Sequence, residues 1–269
     1  MSDEPDKIRV NQTMEDTAIT KGGSADRFVS HAGGHNKRAL RKRFYTSAEV
    51  KAEDEAFVLT LDGRSVKTPG RAVLKLPTLA LATAVADEWL GQGEEIDPET
   101  MPLTKMANTA IDRISDIRAH VVDEIAGFGA SDLLCYRAEH PEALVARQAG
   151  AWDPLLAWAV KTYGAELKVT QGIVFQKQAE TALDSLKARV AACSAFELAG
   201  LHEAVSLTGS LILGLAMLEH HLDAEQVFAV AHVDETWQAE KWGQDEEAEV
   251  RLQGRLKSLQ GAGVFLNSL

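Results

Sequence analysis

Cysteine is nearly absent: Cys135 and Cys193 stand far apart, with no Cys-x-x-Cys pair and no Cys/His cluster. A disulfide framework and the common zinc spacings are therefore excluded, and two isolated thiols fit buried residues in a reducing compartment. Proline is absent after Pro154, so nothing of that kind interrupts a helical period in the C-terminal part. The longest uncharged apolar run, "AVSLTGSLILGLAML" from Ala204 to Leu218, has fifteen residues. That is short of the ~20 a membrane-spanning helix needs, and a buried core helix is expected instead. Basic charge is scarce too. The 28 Lys/Arg against 40 Asp/Glu leave a formal net charge of −12, which disfavours nucleic acid and anionic membranes and favours a basic partner.

The common catalytic constellations are missing as well. Gly91-x-Gly93 runs into "EEI" and lacks the third glycine of a dinucleotide fingerprint, and there is no P-loop. "HEAVS" at His202 lacks the second histidine of a zincin helix, and no Glu-x-x-His occurs for a di-iron bundle. Ser210 follows Gly209 without completing a Gly-x-Ser-x-Gly elbow. His220-His221 are adjacent, so on a helix they point about 100° apart and chelate poorly. No cofactor or metal is expected.

What is present divides the chain into three. Residues 1–41 are polar, contain glycine and show no apolar period; a flexible tail is expected, with a basic end from Lys37 to Arg43. The first 43 residues hold nine Lys/Arg but also six Asp/Glu. They have neither the acid-poor composition of a transit peptide nor the apolar core of a secretory signal, and a cytoplasmic protein is expected. Residues 42–100 open with β-formers on either side of Asp62-Gly63, a hairpin signal, followed by a Pro69-Gly70 turn and the short strand "AVLKLP". Thr78 can cap a helix with Leu79, Ala82, Val85, Ala86 and Trp89 on one side, and "GQGEEIDPETMP" reads as a loop.

Residues 101–269 follow the 3.6 period. One helix is expected from Pro102 through "AGFG", and others near 142–163, 179–193, 195–200, 203–220 and 223–259, with "AELKVTQG" as a short extended piece. The fold class is therefore α+β, a small N-terminal antiparallel β unit followed by a larger, mostly α-helical C-terminal domain.

Within the last helix, "DETWQAEKWGQDEEAE" (residues 234–249) packs seven carboxylates, two tryptophans and one lysine into sixteen positions. A continuous helix would put Thr236, Glu240, Gly243 and Glu247 on one polar face. Val227, Val230, Ala231 and Trp237 would lie near the opposite side, with Trp242 on a flank with Glu235 and Gln238. No nucleophile is tied to these acids in sequence, and carboxylate-only metal sites favour loops. Two readings stay open. One is a solvated acidic face. The other is a docking surface for a basic partner, since like charges at i, i+4 weaken a helix and tryptophan beside charge is typical of interfaces.

"TWQAEKWGQDEEAE", preceded by "LILGLAMLEHHLDAEQVFAVAHVDE", resembles the C-terminal signature of the ATP12-type chaperones that assemble F-type ATP synthase. "KRFYTSAEV…FVLTLDGRSVKTP", "WLGQGEEIDPETMPLTKMANTAID" and "SDLLCYRAEHPEALVARQAGAWDPLLAWA" are similar to the family in the same order. After Gly243 the sequence departs from the family pattern, reading "QDEEAEV". The resemblance implies a non-enzymatic assembly factor, monomeric in its simplest form, that binds the unassembled alpha subunit of the catalytic head until it meets beta. On that basis the expected contact residues are Glu240 first, then Trp237, Lys241, Trp242 and Asp245, with Glu235 and Glu247 in support. The rival reading from another class is a hydrolase using Glu240 or Asp245 with a histidine of the helical domain.

Overall fold

The computed structural model describes residues 40–243 and 245–269. The tail expected over residues 1–41 lies outside them except for Leu40 and Arg41, and Arg41 opens a strand, β1 (Arg41–Lys42). β2 (Ala48–Glu53) and β3 (Ala56–Leu61) form an antiparallel pair with Ala48 opposite Leu61 and Glu53 opposite Ala56. Asp62 (φ 47°) and Gly63 (φ 79°) make the expected tight turn into β4 (Arg64–Ser65), both with the positive φ that a two-residue hairpin loop of this hand requires. β5 (Lys75–Leu76) returns to the same side of β3. β3 is thus flanked on both edges, and Val58, Leu59, Thr60 and Leu61 are all buried. Such a run on both faces is what a central strand under a helix shows.

That helix is α1 (Leu79–Leu90), with the Thr78 hydroxyl accepting from the Leu81 amide at 3.1 Å. Leu81, Ala82, Val85 and Ala86 face the sheet, whereas Leu79 in the first turn is exposed. The stretch expected to be a plain loop contains β6 (Glu95–Ile96), which pairs antiparallel with β1. Two residues carry no period, so only the distant partner reveals that strand. The expected single helix from Pro102 is interrupted. α2 (Pro102–Thr109) passes through a π turn at Ala110–Ile114 into α3 (Ser115–Gly127), with Ile117 non-helical at φ −120° and ψ 25°. The π turn carries Asp112, whose carboxylate accepts from the Thr68 hydroxyl at 2.6 Å and the Gly70 amide at 2.7 Å. At the start of α2, Glu88 of α1 takes the place of a local cap, accepting from the amides of Leu103 (2.6 Å) and Thr104 (2.8 Å). These bonds fasten the β unit to the helices.

β7 (Tyr136–Arg137) precedes α4 (Glu142–Tyr163) and pairs in parallel with β8 (Thr170–Gln171), the extended piece expected after α4. α5 (Glu180–Ala191) follows. The helices expected at 195–200 and 203–220 divide differently, as α6 (Ala195–Thr208) and α7 (Leu211–Leu218). The break has a physical cause. The fully buried Asp132 accepts from the Ser210 hydroxyl at 2.7 Å and the Ile212 amide at 3.0 Å, capping α7 from outside the helix. The helix expected over 223–259 is three helices, α8 (Ala224–Ala231), α9 (Val233–Trp242) and α10 (Glu246–Asn267).

The apolar core runs continuously from Leu59, Leu74 and Leu76 of the β unit to Leu186, Leu198 and Leu201 and to Phe265 and Leu266 of α10. At its far end the Thr78 hydroxyl donates to the Ser268 carbonyl, tying the start of α1 to the end of α10. Among the described residues no helix is long and apolar enough to cross a membrane. Cys135 and Cys193 are free and buried, as expected.

Candidate functional site

The acidic segment is built around two helix ends. His232 separates α8 from α9, with its buried ring stacked on Phe228 at 4.2 Å and its carbonyl accepting from Thr236 at 3.0 Å. Gly243 ends α9 at φ 91° and ψ 165°, and Asp245 then caps α10 by accepting from the Glu247 amide at 3.0 Å. Asp234 and Glu235 therefore lie in the first turn of α9, and Glu246, Glu247 and Glu249 in the first turn of α10. Acids are favoured there by the helix dipole. The like-charge strain of one long acidic helix, which supported the docking reading, largely disappears. Glu247 also pairs with Arg251 at 2.8 Å, one turn on.

The expected continuous polar face does not exist, because Gly243 turns the chain between Glu240 and Glu247. Glu240 instead faces α4. Both of its carboxylate oxygens accept from Arg147, at 2.7 and 2.8 Å, in a bidentate fork. Those hydrogen bonds hold the Glu240 carboxyl below its ordinary range and push the guanidinium further up. Trp237 lies half-buried beside them, with the Arg147 and Lys241 cations 5.8 and 4.9 Å from its ring centroid.

Below this layer the seam is buried. Gln148, 1% exposed, donates to Asp234 at 2.7 Å and accepts from the Ala138 amide at 2.8 Å, and the Trp152 indole donates to the Val230 carbonyl at 2.9 Å. Arg137, 7% exposed, stacks over Trp152 at 5.1 Å and pairs with Asp153 at 2.7 Å. Arg137, Arg147, Gln148 and Trp152 are the residues that sequence reasoning missed. They sit in one of the stretches similar to the family, but nothing local marks Arg147, Gln148 and Trp152 as partners of residues 78 to 93 positions later, or Arg137 as the residue packed over Trp152.

At about 100° per residue, Trp242 lies roughly 200° around α9 from Glu240, on the side away from Trp237. Glu235 and Gln238 share that outer face, and Trp242 is 78% exposed there. The structure thus gathers Glu240 and Trp237 around Arg147, with Lys241 against Trp237, and sets Trp242 and Glu235 apart on an open face. Asp245 and Glu247 sit beyond the Gly243 turn.

The pairing of Glu240 or Asp245 with a histidine, which the hydrolase reading needs, is not among these contacts, although His202 lies 3.7 Å from Glu124 elsewhere in the helical domain. Glu240 is held by Arg147 and Asp245 by a helix amide, while His220 bonds Asn267 at 2.8 Å, His221 stacks on Trp158 at 4.9 Å and His232 on Phe228. Among the described residues no group of three or more His, Cys, Asp or Glu is placed to hold a metal ion.

A family model described as "ATP12 chaperone protein" matches residues 42–160. The match takes in Arg147, Gln148 and Trp152 and stops short of α9. The mitochondrial protein atp12 of Schizosaccharomyces pombe is 24% identical over 220 residues, covering 77% of this chain and 75% of that protein. The crystal structure of Atp12 from Paracoccus denitrificans is 42% identical with a TM-score of 0.80, covering 85% of this chain and 98% of that one. A solved protein of Agrobacterium tumefaciens is likewise 42% identical, with a TM-score of 0.82 over 85% of this chain and 86% of its own. With the β unit, the helical body and the α4–α9 seam in place, this identity over nearly the whole of a solved relative shows that the chain belongs to the ATP12 chaperone family.

Proposed function

We propose that this protein is an assembly chaperone for F-type ATP synthase that binds the unassembled alpha subunit and keeps it soluble until it pairs with beta. The observation that carries the reading is Trp242, a large apolar side chain left 78% exposed at the end of a helix that Arg147 and Gln148 fasten to α4, while Trp152 bonds the preceding helix α8. An exposed tryptophan on a rigid, acid-flanked element is the composition of an interface anchor. Family membership supports the chaperone role.

In this reading Trp242 and Glu235 meet the client directly. Glu240 and Trp237 position α9 through Arg147, with Lys241 packed on Trp237, and Asp245 and Glu247 set the start of α10. The acids match basic groups around an apolar patch, which gives specificity and fast encounter while allowing release. The protein acts as a monomer, without cofactor or catalysis, in the bacterial cytoplasm or the mitochondrial matrix.

The test is co-expression with the alpha subunit and separately with the beta subunit, followed by size-exclusion chromatography. A soluble complex with alpha alone is expected. Trp242→Ala should cut its yield about tenfold, the scale for truncating one interface anchor, with the melting temperature unchanged. Equal co-elution of beta, or alpha that aggregates regardless, would refute the proposal.

A further inference from the structure

β8 runs into a loop, Gly172–Ala179, whose tip carries the most exposed apolar cluster among the described residues: Ile173 is 96% exposed, Val174 73% and Phe175 63%. Loops normally present polar tips, and large apolar side chains left together in water mark a binding surface. The base of this loop is held firmly. The Gly172 amide donates to the Arg137 carbonyl at 2.9 Å, continuing the β7–β8 pairing. The Gln178 side chain, 3% exposed, closes the other stem: its oxygen accepts from the Lys168 amide at 2.6 Å and its NH2 donates to the Lys168 carbonyl at 2.9 Å. That amide imitates a backbone partner and clamps residues 168 and 178 together. The three apolar side chains are therefore held out on a fixed stem.

Two further observations bear on what sits against the tip. In a chain of formal charge −12, the stretch from Leu167 to Ala179 contains no acidic residue and two lysines, Lys168 and Lys177. Covering the tip desolvates no carboxylate within the loop, although Glu139 approaches Gly172 at its base. A cleft of about 690 Å³ opens beside the stem, lined by Leu167, Val169 and Ala182 and also by the polar Glu166, Lys168 and Gln176. Val169 is itself 47% exposed. Tip and cleft together offer a protruding apolar wedge with a recess next to it.

We infer that the loop tip Ile173–Val174–Phe175 is a second docking element, which inserts into an apolar patch on the unassembled subunit while the cleft beside it receives a side chain of that subunit. This deepens the proposed chaperone function and rests on it. The size of the feature argues for a large client as occupant and against a second copy of this chain. Three side chains supply far less than the roughly 800 Å² per partner that a stable dimer uses. A small wedge contributes one anchor within a wider contact, and suits a partner that must be handed on. The net charge of −12 also disfavours an anionic membrane as the occupant.

The test uses the full chain carrying Ile173→Ser, Val174→Ser and Phe175→Ser together, co-expressed with the alpha subunit beside the parent chain. All three side chains are solvent-facing, so the variant should melt like the parent. Soluble complex should fall about tenfold. As a second measurement, a photoreactive phenylalanine analogue at position 175 should cross-link to alpha and not to serum albumin. Parent and triple variant holding alpha equally, with no cross-link from position 175, would overturn the loop assignment and leave the chaperone reading standing. Failure of the parent chain itself to hold alpha would sink both. Concentration-dependent dimerisation lost in the triple variant, or loop-dependent binding to phosphatidylcholine/phosphatidylglycerol vesicles, would reassign the tip to self-association or to a lipid surface.

Discussion

Asp132 brings a carboxylate into a site with no solvent access, where the Leu134 amide, the Ser210 hydroxyl and the Ile212 amide point their donors at it. Burial still dominates those bonds and pushes its pKa up to about 6. Between the ordinary value near 4 and about 6, the folded protein keeps a proton here that the unfolded chain has released. Its contribution to stability is full below about pH 4 and is lost as pH rises through about 6. Asp132→Asn removes that titration and turns an amide NH2 toward one of the three donors, which costs about 1–3 kcal/mol at neutral pH. Urea unfolding from pH 4 to 8 should show the wild-type advantage over the variant widening as pH falls. A difference independent of pH would mean that Asp132 does not titrate in this range.

The helix breaks decide where the candidate surface ends, and the one at Gly243 rests on backbone conformation. Its φ of 91° with ψ of 165° falls in a region only glycine occupies easily, and space around its Cα is open, so any added side chain meets backbone strain and no steric clash. Gly243→Ala should lose about 1–3 kcal/mol in chemical denaturation. An unchanged midpoint would show that the turn is free to re-form another way. This break shows how far the sequence could be read. Asp62-Gly63 was legible as a hairpin because both strands and the turn lie within a few residues of one another. The stripe of α1 was legible apart from Leu79, where the period continues but the first turn projects into solvent. At Thr208–Leu211 and Trp242–Glu246 the glycines were visible, but an apolar or acidic run continued past them and the period was followed through. Asp132, which fixes the first break, lies nearly 80 positions upstream. At His232 neither glycine nor proline marks the stop. In the candidate site, the segment was legible as helical and rich in acids and tryptophans, but not as a separate helix bounded by His232 and Gly243. Nor was its orientation, because Arg147, which draws Glu240 toward α4, sits 93 positions away on another helix.

At the scale of the molecule, two exposed apolar features differ in the charge of their own segments. Trp242 ends a helix that begins with acids and is followed by another that begins with acids, while the apolar tip at Ile173–Phe175 sits in a stretch of sequence without any. Charges act over a Debye length, ~30 Å near 0.01 M salt and ~3 Å near 1 M, whereas apolar contacts act only on touching. On the proposed reading the two elements should therefore govern different rates. Glu235→Lys should slow association with the alpha subunit and flatten its dependence on salt, leaving dissociation nearly unchanged. The loop-tip triple variant should do the reverse, speeding dissociation about tenfold with the salt dependence of association intact. Stopped-flow association and chase-initiated dissociation, measured across that salt range, separate the two. If Glu235→Lys alters only dissociation, or association of the parent chain ignores salt, the acidic segment plays no part in steering. It is then a solvated surface whose acids serve the two helix N-termini, and the weight of client recognition falls on Trp242 and the loop.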